Sequence, residues 1–237
     1  MFCLRSLWRE YGLSFMRRIV LRHPMRTLRG LRAYAGKQRQ VEGLSTQTYD
    51  LPRSGGAAEL TDVLVGLGFC LKPLDPQCPS GRANHDCEYF QRSRHLDRGA
   101  GPPSCLDCRI RDIGLRALEA GCMFYIMTSA RDILFDLLLP AMEKRSYRSA
   151  LLGLCRYSIE PFRIALSVVG LEAELTAFAE GDCTDYRSWR RADIGKKDER
   201  TCFSSEDLEA FLLGISGASA GAGGKEFRKV GNLFFPG

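Results

Sequence analysis

The side chains in this sequence best suited to chemistry are thiols. Cys105 and Cys108 form a C-x-x-C pair in the run Pro102-Pro103-Ser104-Cys105-Leu106-Asp107-Cys108, placed where a helix is expected to begin. Thiolate is a soft ligand, and clusters of it select iron–sulfur, zinc or copper(I). A turn between two cysteines lets both sulfurs reach one centre, and a helix start favours bound negative charge. A single C-x-x-C carries little specificity, but this one has neighbours. Cys78 and Cys87 lie upstream in Cys78-Pro-Ser-Gly-Arg-Ala-Asn-His85-Asp86-Cys87, and Cys155 and Cys183 lie downstream. Cys105, Cys108, Cys155 and Cys183 are expected to form one four-thiolate site. Cys78 and Cys87 either replace two of these or form a second site. Cys155 also suits plain core packing, and Cys3, Cys70, Cys122 and Cys202 read as packing thiols. His85 reads as a loop residue beside the site. Asp86, Asp182 and Asp185 read as hydrogen-bond acceptors, as substrate contacts or as solvated loop carboxylates.

The expected convergence comes from the elements that carry these residues. Residues 110–120 have helical apolar spacing, with Gly121 as the stop. Cys-Met-Phe-Tyr-Ile-Met-Thr at 122–128 is a continuous apolar run, as a strand buried on both faces reads. A helix over 130–144, a strand over 150–155, a helix over 160–170 and a strand over 172–179 follow. Strands alternating with helices imply parallel pairing, giving an open three-layer α/β, Rossmann-like sheet. The start of a helix that feeds a strand, and the end of a strand, share the carboxyl edge, where such sheets bind ligands. Ahead of this unit, 57–67 reads as a helix stopped by Gly66 and Gly68, and 69–73 as a short strand. Residues 74–103 read as a long functional loop. Ser204 or Ser205 caps a later helix, 214–224 reads as a flexible linker, and 227–235 as an apolar segment that docks. The resulting division is a basic helical arm over 1–48, a cysteine-rich α/β domain over 49–215, and a linker with tail over 216–237.

Charge is unevenly placed. Residues 1–40 hold ten Lys/Arg against Glu10 alone, while the rest holds 24 basic and 27 acidic residues. The arm, in which Met16 is a second candidate start, therefore carries the basic character. It has two readings: an amphipathic helix packed on its own domain, or one that binds an anionic membrane surface or acidic partner. No zinc finger, RNA-binding signature or aromatic platform argues for nucleic acid. Arginine interrupts any apolar signal-peptide core, and no stretch reaches membrane-span length. The expectation is a cytoplasmic protein with reduced thiols, in part peripheral to a membrane. There is no phosphate loop and no G-x-S-x-G elbow, and His23, His85 and His95 flank no nucleophile pair.

The order Cys105-x-x-Cys108, Ile110, the strand Tyr125-Ile126-Met127-Thr128, Pro140-Ala141, a strand ending in Cys155, and Gly181-Asp182-Cys183 resembles the prokaryotic domain of unknown function 116 family, across about residues 75–190. That resemblance implies a Rossmann-like unit with an iron–sulfur cluster, and no settled reaction. The chain departs from the family in its sparser cysteines ahead of the helix and in the Arg-Tyr after Cys155. Three functions follow: an iron–sulfur protein (a four-iron cluster) in electron transfer or a redox or cofactor-assembly step, with a redox or protein partner still to be identified; a structural zinc module; and a C-x-x-C thiol oxidoreductase, with a helix-start thiol activated by the dipole.

Overall fold

The computed structural model describes residues 12–41, 49–50, 63–92, 102–143, 147–217 and 226–237. Cys3, His95 and the expected helical residues 57–62 lie outside them. The described helices are α1 (Gly12–Phe15, continued by a π stretch Met16–Val20), α2 (Pro24–Val41), α3 (Glu88–Arg92), α4 (Pro103–Leu106), α5 (Arg109–Glu119), α6 (Ala130–Ile133, Leu134–Leu138 and Leu139–Glu143), α7 (Arg156–Val169), α8 (Tyr186–Asp193) and α9 (Ser205–Gly217). The strands are β1 (Tyr49–Asp50), β2 (Val63–Gly68), β3 (Met123–Met127), β4 (Ser149–Leu154), β5 (Glu172–Ala177), β6 (Phe227–Val230) and β7 (Leu233–Pro236).

They form one sheet in the order β1-β5-β4-β2-β3-β7-β6. The four middle strands pair in parallel, while β1, β7 and β6 join antiparallel. The expected open, mainly parallel α/β sheet is therefore present. Period-two alternation divides its core. Val63, Val65 and Leu67 of β2 join Phe124 and Ile126 of β3 on the face packed against α5 and α9. Leu64, Met123, Tyr125 and Met127 face α1, α6 and α7. Such two-sided burial explains the unbroken apolar runs in these strands.

The first strand of the unit differs from the sequence reading. Residues 63–68 are the central strand β2, and Phe69–Leu71 is a 3-10 turn. Gly66 is a packing glycine in place of a helix stop, since a Cβ there would sit 2.6 Å from Leu152 Cδ2. α7 starts at Arg156, earlier than expected, so Pro161 lies inside it. Gly214 and Gly217 belong to α9, whose N-terminal amide at Asp207 is met by Ser204 Oγ at 3.0 Å. The apolar C-terminal segment docks as the β6–β7 hairpin on β3.

The arm helices pack on their own domain. Phe15 and Ile19 are buried, and α2 crosses α7 at Gly30, where a Cβ would lie 2.3 Å from the Ser167 carbonyl oxygen.

Candidate metal centre

β2 lies between β4 and β3, so the chain leaves β2 to one side and later returns to the other. The carboxyl ends of β2 and β4 are thus the switch point where open α/β sheets form a crevice. Thiols gather around this edge in two groups, and the grouping differs from the four-residue set expected first.

The first group is Cys78, Cys87, Cys105 and Cys108. Cys105 and Cys108 each feel the charge of Cys78, and Cys87 feels both. All four are buried free thiols. Cys105 sits in α4, and Cys108 immediately precedes α5. The amides of Ile110 and Arg111 point at the Cys108 sulfur, and those of Tyr89 and Phe90 at the Cys87 sulfur. Burial nonetheless dominates, pushing Cys87 up to about 12 and Cys108 to about 11, and raising Cys105.

Lys72 lies within electrostatic reach of Cys78, Cys87 and Cys108 and is only 1% exposed. Its Nζ donates to the carbonyls of Gly81 (3.1 Å), Asn84 (2.9 Å) and Asp86 (2.7 Å) and to Asn84 Oδ1 (2.7 Å). The cysteine loop is wrapped around this one ammonium. Burial lowers its pKa, while the charges of Cys78, Cys87, Asp86 and Cys108 oppose that shift. Among the described residues no carboxylate lies within ion-pair distance of it. A buried ammonium is expensive unless negative charge is near; the Asp86 carboxylate and the thiols of Cys78, Cys87 and Cys108, when ionised, are the groups whose charge favours it.

His85 is not among the thiols. Its Nδ1–H donates to the Ile126 carbonyl (2.8 Å), its Nε2 lies 3.1 Å from Thr128 Oγ1, and its ring stacks on Tyr125 at 5.5 Å. It pins the cysteine loop to the end of β3. Asp86 makes a 2.7 Å ion pair with Lys229 of β6, which holds its carboxyl below the usual range.

The second group is Cys70, Cys155 and Cys183. Each follows a parallel strand: Cys70 in the turn after β2, Cys155 directly after β4, and Cys183 in the loop after β5. Cys155 donates to Cys70 and accepts from Cys183. The hydrogen bond from Cys155 lowers Cys70 despite its burial. Cys155 is pushed up to about 12: the bond from Cys183 lowers it, but donation to Cys70 and burial outweigh this. Donation to Cys155, with burial, raises Cys183. Gly181, at φ +61°, makes the turn that brings Cys183 in, and its carbonyl accepts from the buried Lys197 Nζ at 2.5 Å. That nitrogen is 3.8 Å from Cys183 Sγ. Arg82 ties the two groups together through the carbonyls of Cys70 (3.0 Å), Lys197 and Glu199.

The structure groups these thiols differently from the four-residue set expected first. Cys105 and Cys108 are grouped with Cys78 and Cys87, the replacement the sequence had left open, while Cys155 and Cys183 are grouped with Cys70. Cys70 had been set aside as packing because it sits in the apolar run Phe-Cys-Leu. Lys72 and Lys197 went unnoticed; a lysine immediately after such a run was the available signal. Cys122 is fully buried and belongs to neither group. Asp182 is a structural acceptor: its Oδ2 takes the Arg156 amide (3.1 Å) and Nε (2.9 Å), and its Oδ1 takes Nη2 (3.0 Å), which covers the start of α7. Asp185 caps α8.

A pocket of ≈ 80 Å³ opens at the switch point against Cys70, Cys155 and Cys183, between mostly apolar walls that include Leu154, Phe162 and Trp189. Among the described residues, no three His, Cys, Asp or Glu side chains already stand in a metal-holding arrangement. No protein-family model, curated protein or solved structure matches this chain.

Proposed function

We propose that this is a cysteine-ligated metal protein whose closed centre is held by Cys78, Cys87, Cys105 and Cys108, and that the metal group is an iron–sulfur cluster serving electron transfer or a redox or cofactor-assembly step. One observation carries the reading: a buried ammonium, Lys72, whose hydrogen-bond partners among the described residues are neutral oxygens, lies within electrostatic reach of Cys78, Cys87 and Cys108. Four thiolates around a four-iron cluster or a zinc ion leave net negative charge, which would compensate it. The amides aimed at Cys87 and Cys108 act in the same sense. The resemblance to the domain of unknown function 116 family points the same way. When bound, a cluster would supply one-electron chemistry. The chain's part is to bury it, to donate hydrogen bonds to its sulfurs, and to fix the loop through Lys72 and His85.

The same four thiols suit zinc, which would make the centre a structural staple. Metal analysis and a visible spectrum of anaerobically purified protein separate these readings. Brown protein with iron and sulfide, lost in Cys78→Ser or Cys105→Ser, is the expected result. Colourless protein with one zinc gives the staple. A metal-free, folded protein overturns both and leaves a thiol oxidoreductase.

We also propose that the arm rests on an anionic membrane surface. Leu13, Leu21, Met25, Leu28 and Leu31 are exposed on α1, α2 and the turn between them, interleaved with the exposed Arg17, Arg22, Arg29 and Arg32. No helix among the described residues is long and apolar enough to cross a membrane, so this would be a surface contact. Co-sedimentation with phosphatidylglycerol vesicles should exceed that with phosphatidylcholine and fall in Leu28→Glu/Leu31→Glu. Equal recovery on both vesicles refutes the contact.

A further inference from the structure

A second cavity, of ≈ 230 Å³, lies between α5 and α9, and its lining differs in kind from that of the switch-point pocket. Leu208 and Leu212 of α9 supply apolar wall, while Arg109, Arg111 and Arg116 of α5 bring three guanidinium groups to the same space. Asp112 is the one carboxylate that lines it among the described residues, and its Oδ1 lies 3.3 Å from Arg111 Nε. The lining therefore carries an excess of two positive charges. Arg111 is only 7% exposed, with its guanidinium 5.4 Å from the centre of the Tyr89 ring, whereas Arg109 and Arg116 are exposed. Local helix energetics do not account for the arrangement. Arg109 and Arg111 stand in the first turn of α5, at the positive end of the helix dipole, where cations are disfavoured.

We propose that this cavity binds a small phosphomonoester, its dianionic phosphate held by Arg109, Arg111 and Arg116 and a short apolar body lying against Leu208 and Leu212. The planar fork of a guanidinium matches phosphate oxygens two at a time. A dianion cancels the excess charge of the lining, whereas a carboxylate or a sulfate ester cancels half of it. The ≈ 230 Å³ is the share of about eight waters, enough for the phosphate and a body of about three heavy atoms. That size fits a small ester and is too little for a nucleotide. The cavity shares no residue with either group of thiols, so the proposal stands apart from the metal reading. Arg111 lies within electrostatic reach of Cys105 and is left unaltered in the test for that reason.

Isothermal titration calorimetry of the full chain with n-propyl phosphate, which is of that size, is the test, at about pH 8 where the phosphate is a dianion. One equivalent should bind, more tightly than inorganic phosphate, which lacks the body, and more tightly than propyl sulfate, which has the same shape and one charge fewer. Arg109→Gln and Arg116→Gln should each weaken binding about tenfold or more, the scale of one charged hydrogen bond. Arg187→Gln, on α8 and outside the cavity, should leave it unchanged. Both substituted cavity arginines are exposed, so melting temperatures without ligand should match that of the native chain. Absence of binding to the native chain at millimolar propyl phosphate overturns the proposal without recourse to any variant. Binding that survives both cavity substitutions, or that falls equally in Arg187→Gln, places the anion elsewhere and overturns it as well. Propyl sulfate or inorganic phosphate bound as tightly as propyl phosphate refutes the assignment of a phosphomonoester.

Discussion

Replacing Lys72 by Met tests whether the cysteine loop is organised by a buried charge and whether that charge answers to negative sulfur. The change keeps the length of the side chain and removes the ammonium. Four oxygens, those of Gly81, Asn84 (two) and Asp86, then lose a charged donor. A hydrogen bond to a charged group contributes ~1.5–3 kcal/mol. Methionine recovers part of that loss, because burying an ammonium costs several kcal/mol. Four neutral oxygens are stranded and no charge is left behind, so a net loss of ~2–3 kcal/mol is expected, on the scale of one charged hydrogen bond or of a few unsatisfied acceptors. With a urea m-value of ~2–3 kcal/mol/M, the midpoint of the metal-free protein should fall by roughly 1 M. The second effect is on affinity. Unit charges ~4 Å apart at an effective permittivity of ~20 interact by roughly 4 kcal/mol. A thiolate set placed farther away retains a fraction of this, and ~1.4 kcal/mol already weakens metal binding about tenfold. Urea titration of the metal-free protein and chelator competition for zinc measure the two separately. An unchanged midpoint refutes Lys72 as the loop's organiser. A lowered midpoint with unchanged affinity refutes its role as counter-charge to the metal–thiolate group.

Other perturbations probe the frame. Gly30→Leu should push α2 from α7, since even a Cβ meets the Ser167 carbonyl oxygen at 2.3 Å; a loss of ~1–3 kcal/mol, as overpacking gives, should appear as a lower melting temperature, and an unchanged one places α2 elsewhere. Asp182→Ala should remove the acceptors of the Arg156 amide and guanidinium, with ~1–2 kcal/mol lost in urea, the value of an N-terminal helix cap. The Asp132 carboxyl sits below its ordinary range: burial raises it, but the Thr128 and Ser129 hydroxyls and His85 lower it more. Its contribution to stability is therefore complete above the unfolded value of about 3.9 and fades as pH falls through the folded one. Asp132→Asn should flatten the stability profile in that acid window alone, and an unaltered acid limb argues against the assignment.

Much of this architecture was legible because burial on two faces leaves a plain trace. The run 122–128 could only be a central strand, and β4 and β5 followed from their spacing with α7. β2 was misread for a physical reason. Val63, Leu64 and Leu67 fall at helical intervals by accident of the apolar run of β2, and Gly66, present to admit Leu152, resembles a helix stop. The site suffered likewise. A shared carboxyl edge brings thiols to one side of a sheet but does not choose partners along it. That choice was made by the loop over 73–88, whose path depends on Lys72, Arg82 and His85 meeting atoms distant in sequence. Cys70 was hidden because a thiol beside Phe69 and Leu71 looks the same whether it packs or ligates.

The β6–β7 hairpin has a consequence beyond its place in the sheet. It occupies the hydrogen-bonding rim of β3 and sends Lys229 to Asp86. A chain cut short ahead of Phe227 would leave β3 with bare amides and carbonyls, a template on which another molecule's strand could add itself. The same cut would remove the Lys229 partner of Asp86, so self-association and a looser cysteine loop would arrive together.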